Sequence, residues 1–440
     1  MSMVAVLAEM RKAGELLIVL LSSPKVTLRL ITWSRIKNAC RAVFLRQGNW
    51  ELLLQRYSAI CSFNSVTTEC AGLLTSHGYI ADIIFFPAID WGFRFQRPQH
   101  LARELGALGY RVFYVSTVPL LVPGRTDYLI HGTPVPGVVL VQLSSGSTRI
   151  PDFYRDELTH HEVTAFLNSC NALRQDFGIN KFSLLVQQPF WWPLVAQMQQ
   201  VKVVYDCIDH HVGFHPVSNP SLIEFERQLI NAADEVIATS DTLAEKIKIT
   251  RECHLIRNAC EFELFSQAGR VKTSTRPIIG YVGAVSEWFD GQLLFDVAKA
   301  RPEWQFEIYG SIVGADVAAC RALPNVNFFG EISYESVPSV VANFEICIIP
   351  FKLNLLTYAT NPVKVYEYLA SGRPVISTAL PELANMEYID VLCAVSAKDF
   401  ILKIELMLEI ADIPERIRCR RSFARQNDWS VRVGEMIRIL

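Results

Sequence analysis

No Cys-x-x-Cys pair occurs in this chain. Its eleven cysteines, at positions 40, 61, 70, 170, 207, 253, 260, 320, 347, 393 and 419, nowhere meet histidines at zinc-finger spacing. That scatter excludes a zinc ribbon and a disulfide framework, and the odd number fits a reduced compartment with buried thiols. Long apolar runs are lacking too: Leu16–Leu21 is six residues, against the roughly 20 a membrane-crossing helix needs. Arg11-Lys12 before that run is similar to the opening of a signal peptide, but Ser22, Ser23, Pro24 and Lys25 end it too early for export. The expected location is cytoplasmic. Net charge is −2 over 440 residues, which gives no bulk positive field for nucleic acid. Neither an internal repeat nor a low-complexity tract interrupts the chain.

What is present is an ordinary globular composition, 50% hydrophobic and 20% charged. At this length it predicts two α/β domains plus extra segments. The charge is uneven: residues 1–60 sum to +6 and the remainder to −8. Within 26–60, Trp33, Ile36, Cys40, Val43 and Phe44 recur at helical spacing, with Arg35, Asn38 and Arg46 elsewhere on the wheel. The stretch reads either as a helical extension packed on the body or as a helix lying on anionic lipid. The second reading makes the chain peripheral on the inner face of the plasma membrane.

From Asp82 short apolar runs alternate with helical patterns. Ile83–Phe86, Val112–Val115, Leu184–Val186, Val203–Tyr205, Val236–Ala238 and His254–Ile256 read as strands, with helices after Pro98 and over Ser221–Ala232. The alternation restarts with strands at Ile278–Val282, Phe306–Tyr309, Val326–Phe329, Ile346–Ile349 and Pro374–Ser377, and helices near 291–300, 335–342 and 362–370. The predicted organisation is a basic helical extension (1–77), a Rossmann-like domain (78–265), a polar linker (266–277), a second Rossmann-like domain (278–412) and C-terminal helices (413–440).

Two segments carry chemistry. In Thr360–Ser377 a helix start, one helix, a Gly cap and a buried strand follow one another. Free N–H groups at such a start suit a diphosphate. Lys364 and Glu367, three apart, share a face: the Lys suits phosphate and the Glu suits vicinal hydroxyls such as those of a ribose. On an isolated helix the same pair would be an ordinary surface ion pair. The second segment, Tyr205-Asp206-Cys207-Ile208-Asp209-His210-His211, follows a strand and so falls at the ligand-binding edge of a sheet. Asp209 and His210 are the candidate catalytic groups, by contact with substrate or a tuned pKa. A metal site there and a plain structural role are the other readings.

The chain resembles the retaining, group 1 type of bacterial glycosyltransferases with the GT-B fold. Beside Thr360–Ser377, the resemblance is carried by Trp91–His100 (WGFRFQRPQH), Ile256–Glu261, Gly280–Gly283, Asn325–Gly330 and Asp428-Trp429-Ser430, in order over most of 80–440. It implies two Rossmann-like domains facing a cleft, with C-terminal helices crossing back to the first. It also implies a nucleoside-diphosphate-sugar donor, a saccharide or lipid-linked acceptor, and work in cell-envelope or exopolysaccharide synthesis. Metal and cofactor are not expected. The donor side would use Gly283, Trp288, Lys352, Thr360, Asn361, Lys364 and Glu367, and the first domain's cleft loop Trp91, Arg94 and Arg97.

Two departures stand out. The family's first glutamate, eight residues before the second, is Ala359 here, and residues 284–298 contain no Lys or Arg. Diphosphate charge then falls to Lys364, Lys352 and Arg94 or Arg97. A sugar-nucleotide epimerase and a non-catalytic partner subunit are the alternatives. A nicotinamide oxidoreductase is disfavoured because the Gly280–Gly283 loop lacks the full G-x-G-x-x-G.

Overall fold

The computed structural model describes residues 78–199, 201–213, 219–269 and 274–440. The basic extension and its amphipathic stretch 26–60 lie outside the described residues. The first sheet contains β1 (Asp82–Phe86), β2 (Arg111–Val115), β3 (Tyr128–Gly132), β4 (Val138–Leu143), β5 (Phe182–Val186), β6 (Lys202–Cys207), β7 (Glu235–Ala238) and β8 (His254–Leu255). Their order is β3-β4-β2-β1-β5-β6-β7-β8, parallel throughout except the β3–β4 pair. β2 (RVFYV) and β5 (FSLLV) are buried along their whole length, as strands covered by helices on both faces must be.

The second sheet contains β9 (Ile278–Val282), β10 (Gln305–Tyr309), β11 (Val326–Gly330), β12 (Ile346–Ile349), β13 (Val375–Thr378) and β14 (Val391–Ala394). All are parallel, in the order β11-β10-β9-β12-β13-β14. This is the doubly wound Rossmann order, reversing between β9 and β12; the first sheet reverses between β1 and β5. Ligands bind beyond the carboxyl ends of the strands at such reversals.

Sequence alternation missed β3, β4 and β14. β3 is half-buried along its length and antiparallel at a sheet edge, so no continuous apolar run marks it. β4 is apolar but follows a segment rich in Gly and Pro. β14 is four residues long and starts after Asp390, which takes a left-handed turn at φ 65°.

One boundary reading is corrected. The helices of 413–440 do not both cross back. Pro414–Gln426 stays on the second domain, packed along Val363–Ala370 with Ala424 buried in that core. Only Trp429–Met436 crosses: Trp429, Val433, Met436 and Ile439 complete a core with Ile83, Phe85, Leu101 and Tyr114. The crossing point is a bridge between Cys260 and Asp428, closed by Trp429 N donating to Cys260 O at 3.1 Å. His100 is fully buried, its ring stacked on Trp429 with centroids 4.8 Å apart. Its place is in packing.

Candidate active site

At the ends of β9, β10 and β11 sit Gly283, Gly310 and Gly330, with φ of 146°, 147° and 78°. Gly310 is required by a backbone contact, and Gly283 by its φ, which a residue with a side chain rarely adopts. A Cβ on Gly310 would lie 1.8 Å from Gly283 O, and one on Gly283 would lie 2.2 Å from Lys364 Cε. Gly330 faces open space, next to Phe329, which is 51% exposed and stacked on Tyr309 at 4.6 Å. Opposite this rim, helix Val363–Ala370 begins after Pro362 with no side-chain cap on its first N–H groups.

Lys364 and Glu367 project from that helix, half-buried in the cleft. Among the described residues, neither Lys364 Nζ nor the Glu367 carboxylate spends a hydrogen bond. The ammonium lies 5.5 Å from the Tyr281 ring centre and 5.6 Å from that of Phe351. Burial pushes the Lys364 pKa down, against the pull of Glu367, and Arg94 pushes it further down. Burial pushes the Glu367 carboxyl up, against Lys364 and with help from Glu261. Two groups of opposite sign are thus held near neutrality on one wall of a cleft, a pattern typical of functional sites.

The other donor-side residues fall into three kinds. Trp288 is half-buried at the edge of the second core, and its carbonyl accepts from Lys352 N at 2.7 Å. That bond lays the 284–290 loop beside β12. The Lys352 side chain is exposed. Thr360 donates its hydroxyl to Leu356 O at 2.8 Å.

Asn361 is a correction. It is 3% exposed, its Oδ1 accepts from Asn258 N at 2.9 Å, and its Nδ2 donates to Tyr366 and Glu382. With its amide spent on tying the two domains together, it has none left for a donor. Ala359 lies in the first domain's core at 0% exposure. A carboxylate there would be buried, so the missing first glutamate goes with this packing. Asn325, in the strand-and-loop segment, donates to Ala298 O, Arg301 O and Trp304 O. It closes a helix end.

In the first domain, Arg97 is the second correction. Its fork is bidentate to Asp206 at 2.9 and 2.8 Å, with side chains only 4% and 0% exposed. Gln187 Nε2 also donates to Asp206, and Gln187 Oε1 accepts from Ala88 N. Arg97 therefore anchors the cleft loop to the ends of β5 and β6, and no phosphate can reach it. Trp91 packs edge-on to Tyr114 and Phe95. It borders a cavity of about 20 Å³ lined also by Asp90, Ser116 and His131, room for about one water.

Arg94 does reach across: Nε donates to Glu331 at 2.9 Å and Nη2 to Ser311 at 2.5 Å. Ser311 and Glu331 were not legible as site residues. Their only signal is a polar side chain directly after a strand-ending glycine.

Asp209 and His210 lie half-buried beyond β6. Burial pushes the Asp209 carboxyl up to about 7 and the His210 pKa down. His211 is buried with both ring nitrogens unpartnered, its pKa pushed by burial down to about 4. Among the described residues, no group of three His, Cys, Asp or Glu side chains converges to hold a metal ion. Also among the described residues, no helix is long and apolar enough to cross a membrane.

The described residues thus form two doubly wound domains, with an uncapped helix start and the Lys364/Glu367 pair on the second. Comparison with known proteins gives the class. Residues 276–409 match the family model described as Glycosyl transferases group 1. The fold is shared with sucrose-phosphate synthase from Thermosynechococcus elongatus, at 17% identity and TM-score 0.64, covering 82% of this chain and 98% of that one. It is shared also with a glycosyltransferase from Rickettsia africae, at 12% identity and TM-score 0.59 over 82% and 98%. In sequence, the chain is 29% identical over 267 residues to TuaH of Bacillus subtilis, named as a teichuronic acid biosynthesis glycosyltransferase, spanning 54% of this chain and 67% of that one. The fold is thus the two-domain GT-B fold, and the match of 276–409 to the group 1 model together with the B. subtilis relative supports glycosyltransferase activity.

Proposed function

We propose that the chain moves a sugar from a nucleoside-diphosphate sugar to a saccharide acceptor, in the assembly of a cell-envelope polysaccharide. The observation that carries this is the Lys364/Glu367 pair beside Gly283 at the reversal of the second sheet. Lys364 and the uncapped helix start would hold the diphosphate and Glu367 the ribose hydroxyls. The exposed Phe329, stacked on Tyr309, would flank the base. No metal is needed in this reading, because stabilising the departing diphosphate and positioning the acceptor supply the catalysis. The acceptor would meet the first domain near Asp209 and His210. Asp209, titrating near neutrality, suits hydrogen bonding to an acceptor hydroxyl. The B. subtilis relative's teichuronic acid role supports an envelope polysaccharide as product. A retaining hexosyl transfer and a lipid-linked acceptor met at the inner membrane face through 26–60 are the finer form of the proposal.

The test is a thermal-shift panel of UDP, GDP, ADP, CMP and dTDP on the wild type and Glu367→Ala. A ligand that binds only the folded state raises the melting temperature by mass action. One nucleotide is expected to give a clear shift that Glu367→Ala abolishes. No shift with any nucleotide would remove the donor site and favour a non-catalytic partner subunit.

A further inference from the structure

We propose that Arg94 is the donor-diphosphate clamp of this chain and that Glu331 holds its place until the donor arrives. The inference rests on the transferase reading above. Arg94 belongs to the first domain's cleft loop, yet its guanidinium lies over the second domain. There it donates to Ser311, which follows Gly310 at the end of β10, and to Glu331, which follows Gly330 at the end of β11. These are the strand ends over which a diphosphate bound at Lys364 would extend. The cation is close enough to Lys364 to push its pKa down.

Charge balance favours the role. Residues 284–298 supply no cation, and Lys364 is already partly offset by Glu367. A diphosphate entering here therefore needs a second positive group, and the guanidinium fork matches phosphate oxygens in pairs. At rest that fork is occupied by Glu331. The pair is 25% and 18% exposed, so water and an incoming anion can reach it, unlike the sealed Arg97–Asp206 pair.

The backbone of Arg94 is fixed. Gln99 Nε2 donates to Arg94 O at 2.7 Å and to Asp90 O at 3.0 Å, and the guanidinium lies 4.8 Å from the Phe93 ring centre. Only the side chain has to turn. Donor entry thus exchanges an internal carboxylate for a diphosphate. Because the clamp comes from the opposite domain, it is in place only when the cleft is closed. Glu331 also repels the incoming anion, so it lowers donor affinity in proportion to how well it holds Arg94.

Isothermal titration of the full chain tests this with UDP, GDP, ADP, CDP and dTDP and their parent nucleosides, on wild type, Arg94→Lys and Glu331→Gln, each checked for unaltered thermal unfolding. Arg94→Lys keeps the charge and loses the fork; it is expected to weaken diphosphate binding about tenfold or more while leaving nucleoside binding unchanged. Glu331→Gln is expected to tighten diphosphate binding several-fold, again without effect on the nucleoside. A merely structural contact would make both variants weaker, and for both ligands. Unchanged or weakened diphosphate binding in Glu331→Gln overturns the proposal, as does an equal loss of nucleoside binding in Arg94→Lys. A wild type that binds none of the diphosphates overturns the transferase reading and this inference with it.

Discussion

At the scale of single residues, burial decides what a charged group does. Arg97 and Arg94 are three apart and were equivalent as phosphate candidates, yet one is sealed against Asp206 and the other reaches the opposite domain. Breaking a sealed pair leaves a buried charge uncompensated. Arg97→Ala is expected to lose about 3–5 kcal/mol in urea unfolding. A variant as stable as wild type would mean that Asp206 is not sealed.

Asp209 gives a pH prediction. Its carboxyl titrates near 7 when folded and near ~3.9 when unfolded. Between those values the native state keeps a proton that the unfolded chain has released, so stability falls as pH rises through that window and stays lowered above it. Asparagine does not titrate. The melting temperature of wild type, measured relative to Asp209→Asn, should therefore drop from pH 5 to pH 8. A pH-independent difference between the two proteins would refute burial as the cause.

At the scale of elements, the ends of strands and helices carry the site, while their middles carry the fold. Five of the second domain's six strands were read to within a residue or two because each is a short apolar run between glycines and helix caps. The terminal helix shows what periodicity leaves open. Trp429, Val433 and Met436 mark an apolar face on Trp429–Met436 without saying which core receives it. It is received by the first domain's core, with Trp429 1% exposed against His100. Trp429→Ala should then cost about 3–5 kcal/mol. In calorimetry the loss is expected in the first domain's unfolding and not in the nucleotide-shifted transition of the second. No loss would show that the helix is a passive tail, and a loss confined to the second domain that it does not complete the first domain's core.

At the scale of the whole molecule, the two domains meet through specific polar contacts: Asn258 with Asn361, Arg257 with Glu382, and Arg94 with Glu331 and Ser311. The sequence by itself determined the fold class, the succession of two Rossmann-like domains and the Lys364/Glu367 helix. Those depend on local periodicity, caps and spacing, which a chain carries wherever it goes. It could not decide which of several charged or polar side chains face the cleft, because Arg97 and Asn361 find their partners 109 and 103 residues away. Only tertiary structure, by bringing those partners to one place, settled that Asn361 ties the domains together, that Ala359 is core, and that Arg94 is the arginine that crosses.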